Sequence, residues 1–239
     1  FLFPRKDSKV PDRFGPSDPS VADVLLEGFA VYLCLMAVLG TIGSLLPSHH
    51  PEMGLLLVVP VLAALAWVRA RGAWGRRLAD AVGWNAGRGF VREMFAGIIG
   101  YIAGIPLVAV GMAVALALAR LSSTRASHPV EFDITTGGWV RILLFLLACL
   151  FAPVTEELMF RGMFLRHLTL RWPRLWSAVI VSVLFAAIHP QGWTAIPLLG
   201  AVGLVLALIR FRRDSLVASM TAHALNNALV LTVLICLAG

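Results

Sequence analysis

The chain has 239 residues, of which 59% are hydrophobic and only 14% are charged, and its mean hydropathy is +0.85. These values exclude an ordinary soluble domain, and the long continuous apolar stretches exclude the short alternating segments of a membrane β-barrel. The formal net charge of +7 does not indicate nucleic-acid binding, because the basic residues cluster in short segments beside the apolar stretches. We therefore expect an all-α, polytopic transmembrane helical bundle in a lipid bilayer, with no nucleic-acid partner.

The predicted elements begin with a Pro- and charge-rich segment, residues 1–22, which is typical of an interfacial arm. Seven apolar stretches follow, each long enough or nearly long enough to cross a bilayer as a helix. Their approximate bounds are 24–46, 53–68, 95–119, 139–165, 175–189, 194–209 and 215–237. We divide the rest of the chain into an N-terminal group of transmembrane helices, 23–138, and a C-terminal helical core, 139–239.

A basic segment, residues 69–92, lies between the second and third stretches and carries six arginines together with Trp74, Trp84 and Phe90. That composition favours a segment lying on an anionic membrane surface, and a solvated loop is the alternative. With a cytoplasmic N-terminus, 17 of the 20 Lys and Arg residues fall on the inner side and three on the outer side. The positive-inside rule then predicts seven spans with the C-terminus outside.

The third stretch contains the GxxxG pair Gly100 and Gly104, and Gly97 and Gly111 extend the same small-residue face. Small residues let two helix backbones approach closely, so this face predicts tight packing between helices. A dimer interface is the alternative explanation, and the sequence leaves the oligomeric state open.

Two adjacent carboxylates, Glu156 and Glu157, lie with Arg161 inside the fourth stretch. An ionisable group at membrane depth is costly, which makes it a candidate functional residue. Glu157 and Arg161 are i,i+4 neighbours on a helix and are expected to pair, either within a site or as a structural ion pair. Glu156 has no arginine at i+4, so it is the carboxylate left free to exchange a proton with water.

Two further polar clusters lie in the fifth and seventh stretches. Phe185 and His189 form one i,i+4 pair, and His223 and Asn227 form another. Taken singly, His189 could be a satisfied histidine beside a turn, and the last pair could simply join two helices by hydrogen bonds. Because Pro190 follows His189 directly, we expect the helix to end there, beside a water-filled pocket.

Counting residues from the turns places these clusters at a similar depth. Trp172-Pro173 is the expected turn between the fourth and fifth stretches, since proline ends the preceding helix. Glu156 and His189 each lie 16 residues from this turn, or about 24 Å along their helices. His223 lies roughly 14 Å along the last helix from the turn that precedes it. We therefore predict that the three clusters meet near the middle of the membrane.

The three clusters, in this order, resemble the motifs of the CAAX protease and bacteriocin-processing (CPBP, or Abi) family of glutamic-type intramembrane proteases. The family motifs are EExxxR, FxxxH and HxxxN/D. They are matched by Glu156, Glu157 and Arg161, by Phe185 and His189, and by His223 and Asn227. The resemblance covers residues 139–237, so the C-terminal core is interpreted as a CPBP-like catalytic domain.

The resemblance implies a peptidase that needs no metal or other cofactor. Glu156 would activate the hydrolytic water, assisted by His189, while His223 and Asn227 would stabilise the oxyanion. Three supporting residues would orient these groups or pack against them: Glu157, Arg161 and Phe185. A carboxylate base and fixed hydrogen-bond donors suit peptide hydrolysis in a site that excludes bulk water.

Two alternatives remain open from the sequence. Two histidines and a glutamate also form zinc sites, although the chain lacks an HExxH motif and Asn227 is a poor zinc ligand. The other alternative is a non-catalytic transporter, immunity protein or scaffold. A transporter is disfavoured because no inverted repeat relates the two halves, and the intact set of motif residues argues against a scaffold. The resemblance implies a substrate that is a membrane-associated protein or peptide, cut near its C-terminus. The Ala- and Arg-rich composition favours a bacterial inner membrane as the location.

Overall fold

The computed structural model describes residues 19–45, 56–73, 75–122 and 138–238, and every regular element in these ranges is helical. The all-α class predicted from the sequence is confirmed. Most of the predicted N-terminal arm, residues 1–18, lies outside the described residues, as does Trp74 of the basic segment.

The described helices match the seven apolar stretches, with the short helix α3 in addition. Their bounds are α1 (Pro19–Leu45), α2 (Val58–Ala70), α3 (Arg76–Val82), α4 (Phe90–Leu121), α5 (Gly138–Thr169), α6 (Arg174–Ala187), α7 (Ile196–Arg213) and α8 (Leu216–Ala238). Five of them, α1, α4, α5, α7 and α8, are long and apolar enough to cross a membrane. Helices α2 and α6 have 13 and 14 residues, so each is about 20 Å long against a hydrocarbon core of about 30 Å. A membrane-spanning bundle is confirmed, and seven complete crossings remain a prediction.

Helix α5, which carries the two glutamates, departs from regular α-helical geometry. It widens into π-helical turns at Leu147–Phe151 and again at Glu157–Phe164. Such turns are rare in proteins, and where they occur they often lie at functional sites. Pro153 lies between them and has no N–H to donate, so the regular pattern of backbone hydrogen bonds is interrupted there. The distortion coincides with the most polar part of the helix.

The glycine face of α4 packs against α7 and α8 of the same chain. A Cβ atom at Gly100 would lie 2.7 Å from the side chain of Ile209, and one at Gly104 would lie 2.5 Å from that of Val205. A Cβ atom at Gly97 would lie at least as close to the backbone of α8. The tight packing predicted from the small residues is therefore confirmed, and this face is occupied within one chain rather than left for a dimer.

The basic segment, residues 69–92, is not a solvated loop, so that alternative is wrong. It contains α3, whose Leu78 and Val82 side chains are buried in the main apolar cluster. Beyond α3, the carbonyl oxygen of Gly83 accepts a hydrogen bond from the N–H of Leu216 at the start of α8. Gly83 has a φ of 77°, and a Cβ there would collide with a buried arginine of α7. The segment therefore packs under the turn between α7 and α8.

Candidate active site

Three turns position the candidate residues, and each lies where the sequence predicts it. Helix α5 ends at Thr169, and Pro173 immediately precedes α6. Helix α6 ends at Ala187, so His189 lies in the turn that follows. Asp214, with a left-handed φ of 51°, separates α7 from α8. These turns bring α5, α6 and α8 together, so that polar residues distant in sequence become neighbours.

Glu157 and Arg161 form a fully buried ion pair. Nη1 of Arg161 donates a hydrogen bond to Oε1 of Glu157 over 2.8 Å, and neither side chain is exposed. Nη2 of Arg161 donates to the carbonyl oxygen of Gly203 in α7 over 3.0 Å. The guanidinium carbon also lies 4.5 Å from the ring centre of Phe185, within the range of a cation–π interaction. The predicted i,i+4 pair is confirmed, and it joins α5 to both α6 and α7.

His223 lies between the two glutamates. Its Nδ1 is 3.1 Å from Oε1 of Glu157, and its Nε2 is 3.8 Å from Oε2 of Glu156. Because an ionised carboxylate only accepts hydrogen bonds, Nδ1 carries the hydrogen of the shorter contact. In neutral His223 the Nε2 atom is then an acceptor, and it becomes a donor only when the ring is protonated.

Glu156 and His189 form the more accessible part of the site. Their side chains are 23% and 18% exposed, and Oε2 of Glu156 lies 3.9 Å from Nε2 of His189. Nδ1 of His189 donates to the carbonyl oxygen of Phe185 over 2.5 Å, which leaves Nε2 directed at the carboxylate. Oε2 of Glu156 accepts no hydrogen bond from the described residues. A separation of 3.9 Å is too long for a direct hydrogen bond and suits two groups bridged by water.

Phe185 packs against both histidines. Its ring centre lies 4.3 Å from that of His189 and 5.8 Å from that of His223. The side chain is buried, and its ring meets Phe160 edge-on at 5.3 Å. The contact expected from the FxxxH spacing is present, and the same ring also contacts His223.

Asn227 makes its hydrogen bonds with a different set of partners. Its Nδ2 donates to the carbonyl oxygen of Ala148 in α5 over 2.7 Å, and its Oδ1 accepts from Nδ2 of Asn226 over 3.2 Å. The hydroxyl of Tyr101 donates to Oδ1 of Asn226 over 3.1 Å. Among the described residues, no hydrogen bond joins Asn227 to either glutamate. The structure therefore places this amide against α5, one turn beyond the histidine of α8.

The sequence does not predict that Asn226 and Tyr101 contribute to the site. Both carry a usable signal, since Asn226 adds a second amide to an apolar stretch and Tyr101 is one of only two tyrosines in the chain. Their contact joins residues 125 positions apart on different helices. Helical spacing relates residues on one helix only, and so it does not connect this pair.

Comparison with known proteins gives a match over the region that carries all of these motifs. Residues 138–229 match the family model described as Type II CAAX prenyl endopeptidase Rce1-like. Over these residues the chain is similar to the CPBP family. No curated protein and no solved structure matches it. The CPBP match supports a CAAX-type intramembrane protease, and the part of each residue in the reaction stays a prediction.

An apolar cavity of about 540 Å³ flanks the CPBP motifs. It lies among α4, α5, α8 and the segment after α3, and residues that line it include Trp84, Phe90, Met94, Val154 and Met220. Val154 precedes Glu156 by two residues, and Ala224, which also lines the cavity, follows His223 directly. The cavity is therefore next to the site, on an apolar side of it. The water-filled pocket expected beside His189 remains a prediction.

The possible metal ligands of the CPBP site are few. Among the residues that the structure describes, no group of three His, Cys, Asp or Glu side chains has an arrangement that would hold a metal ion. Glu156 lies between His189 and His223, with Oε2 at 3.9 and 3.8 Å from their Nε2 atoms. Zinc bound by all three would require these groups to move closer together, because zinc–ligand distances are about 2.0–2.2 Å.

Proposed function

We propose that this protein is an intramembrane endopeptidase that hydrolyses a peptide bond with a water molecule activated by Glu156. The position of the Glu156 carboxylate carries the proposal. It lies within 4 Å of the Nε2 atoms of both His189 and His223. The neighbouring Glu157, by contrast, is bonded to Arg161 and to the other nitrogen of His223. A partly exposed carboxylate beside two imidazole rings is suited to accept a proton from water.

The reaction consists of one addition and one elimination. Glu156 removes a proton from water as the water oxygen bonds to the carbonyl carbon of the substrate. The carbonyl π electrons move to its oxygen and give a tetrahedral oxyanion. The proton held by Glu156 then passes to the leaving nitrogen, the C–N bond breaks, and carboxyl and amine products separate.

The two histidines have different parts in this scheme. His189 presents an acceptor at Nε2, because its Nδ1–H is bonded to a backbone carbonyl, and it helps Glu156 to orient the water. His223 donates to the oxyanion from Nε2 when its ring is protonated. The Glu157 carboxylate accepts from Nδ1 and holds the ring in this orientation. Glu157 therefore supports the reaction through His223 rather than by contact with the substrate.

Asn227 supplies a second donor to the oxyanion. One N–H of its amide is bonded to the Ala148 carbonyl oxygen, and an amide nitrogen carries two hydrogens, so one remains for the substrate. A fixed donor of this kind contributes about 10²–10³ to the rate in other acyl-transfer sites. Its orientation is therefore as important as its presence.

The substrate we propose is a membrane-associated protein or peptide that is cut near its C-terminus. The apolar cavity beside the site and the match to an endopeptidase family support this class. The Ala- and Arg-rich composition favours a bacterial inner membrane, where prenylated substrates are not expected.

Mass spectrometry of membrane-protein termini tests the activity. Cells that express the wild-type chain are compared with cells that express Glu156→Gln, and new termini are expected in the wild-type sample only. Purified wild-type protein in liposomes should then cut a peptide that spans the identified site. Identical termini in both samples, with no cleavage by purified protein, would favour a transporter, immunity protein or scaffold.

A chelator separates the glutamic mechanism from the zinc alternative. We expect cleavage by the purified protein to survive exhaustive chelation, because water is activated by Glu156 directly. Loss of cleavage that is restored by added zinc would instead assign Glu156, His189 and His223 as zinc ligands.

A further inference from the structure

A carbonyl oxygen of α5 lacks the backbone donors that would normally reach it. In an α-helix the carbonyl oxygen of Ala148 would accept from the N–H of Ala152, but that N–H bonds to Leu147 in the π-helical turn. In a π-helix it would accept from residue 153, which is a proline and has no N–H. The sequence of this turn therefore leaves the Ala148 oxygen to a side-chain donor.

That acceptor sets the direction of a chain of hydrogen bonds that joins Ala148, Asn227, Asn226 and Tyr101, which we call the relay. Because a carbonyl oxygen only accepts, the atom of Asn227 at 2.7 Å must be Nδ2, and Oδ1 must face the other way. Oδ1 accepts from Nδ2 of Asn226, which leaves Oδ1 of Asn226 to accept from the Tyr101 hydroxyl. Reversing either amide would oppose two like atoms. Each amide therefore has one orientation that satisfies the whole relay.

Tyr101 anchors the relay from the N-terminal half of the chain. It lies on α4, outside the range that matches the family model, and is only 8% exposed in an apolar cluster with α7 and α8. A hydroxyl in such surroundings is expected to have a hydrogen-bond partner, and Asn226 provides it. Helix α4 is thereby connected to the site by a polar contact as well as by its glycine face.

We propose that Tyr101, Asn226 and Pro153 are positioning residues that hold the amide of Asn227 in the orientation needed for catalysis. The inference rests on the proposed function of Asn227 as an oxyanion donor. None of the three acts on the substrate directly. Without the relay, the Asn227 amide can rotate by half a turn, and its oxygen would then face the developing negative charge.

Tyr101→Phe tests the proposal because it removes a single hydroxyl. We expect kcat to fall about ten- to a hundredfold, as for a misplaced catalytic group, with KM within about twofold of wild type. Thr232→Val is the matched control, since it also removes a hydroxyl, one that is bonded only to Ala228 further along α8. The control should keep wild-type kcat and KM.

A double-mutant cycle shows whether the effect passes through Asn227. Asn227→Ala should lower kcat about 10²–10³-fold, and adding Tyr101→Phe should then cause no further loss. A further loss of tenfold or more in the double variant would overturn the proposal. If Tyr101→Phe does not fold, Asn226→Leu replaces it in the same cycle.

Pro153→Ala tests the end of the relay at the Ala148 carbonyl oxygen. The new N–H can reach the Ala148 oxygen in the π-helical register and compete with Nδ2 of Asn227, so kcat should fall while KM changes little. If Pro153→Ala and Tyr101→Phe keep wild-type kcat while Asn227→Ala is inactive, the positioning proposal is wrong and the proposed function is not contradicted. A wild-type chain that cleaves nothing, or a Glu156→Gln variant at full rate, would contradict the proposed function instead.

Discussion

The two sides of the candidate site, one residue apart on α5, have opposite surroundings. On the closed side, Glu157 has no exposed surface and is bonded to Arg161 and His223. On the open side, Glu156 is 23% exposed, and its Oε2 faces His189 without a hydrogen bond from the described residues. Successive helical residues point about 100° apart, so one carboxylate enters the bundle while the other borders the site. The proposed division into one structural and one chemical glutamate rests on these different surroundings.

Glu156→Gln should give the largest effect, and it falls on the open side. We expect kcat to drop by about a thousandfold, because the amide does not take up a proton, while the melting temperature stays close to wild type. Cleavage of the peptide identified by mass spectrometry, together with thermal unfolding in detergent, measures both. Glu27→Gln on α1 is the matched control, since it changes an exposed carboxylate bonded to Arg71 and should leave kcat unchanged. Wild-type turnover by Glu156→Gln would rule out the glutamic mechanism.

His223→Ala removes the group that joins the two sides. Cleavage should be lost almost completely, by about 10²–10³-fold, because an oxyanion donor is missing. The protein should still fold, although the melting temperature falls because the buried Glu157 loses a hydrogen-bond donor. Measuring kcat per folded molecule separates the two effects. Full activity in a folded His223→Ala protein would exclude His223 from the reaction.

Glu157→Gln tests the closed side, and here stability should change more than the chemistry. Arg161 would remain buried without its carboxylate, which costs about 3–5 kcal/mol in the free energy of unfolding. Glu93→Gln is the matched control, because Glu93 is also fully buried and paired with Arg213, at 2.8 Å. Both variants should lose stability, and only Glu157→Gln should also lower kcat per folded molecule. A loss of kcat as large as that of Glu156→Gln, with unchanged stability, would exchange the roles of the two glutamates.

The sequence predicts which residues meet at the site better than it predicts their detailed contacts. Counting from Trp172-Pro173 brings Glu156 and His189 together, because helical rise and a proline turn are local properties of the chain. The bridge from His223 to Glu157 and the bond from Asn227 to α5 are not predicted. They depend on how far each helix is rotated, and the π-helical turns of α5 change that rotation without changing the motif.

The basic segment shows the same limit at the level of the fold. Its six arginines and aromatic residues predict a membrane-surface or solvated segment, yet Leu78 and Val82 are buried against other helices. Composition reports the average environment of a segment. The burial of two apolar side chains in a seven-residue helix depends on tertiary partners, which no local pattern contains.

His189→Ala should give the smallest effect, and it separates the open side from the closed side most cleanly. His189 lies in a turn and is bonded to a backbone carbonyl, so its loss should leave the melting temperature almost unchanged. Because Glu156 remains to take the proton, kcat should fall only about tenfold through poorer orientation of the water. A fall as large as that of Glu156→Gln would contradict this ranking, because His189 would then be as necessary for activating the water as Glu156. The open side would remain the chemical side, but with the carboxylate and the imidazole acting as one unit.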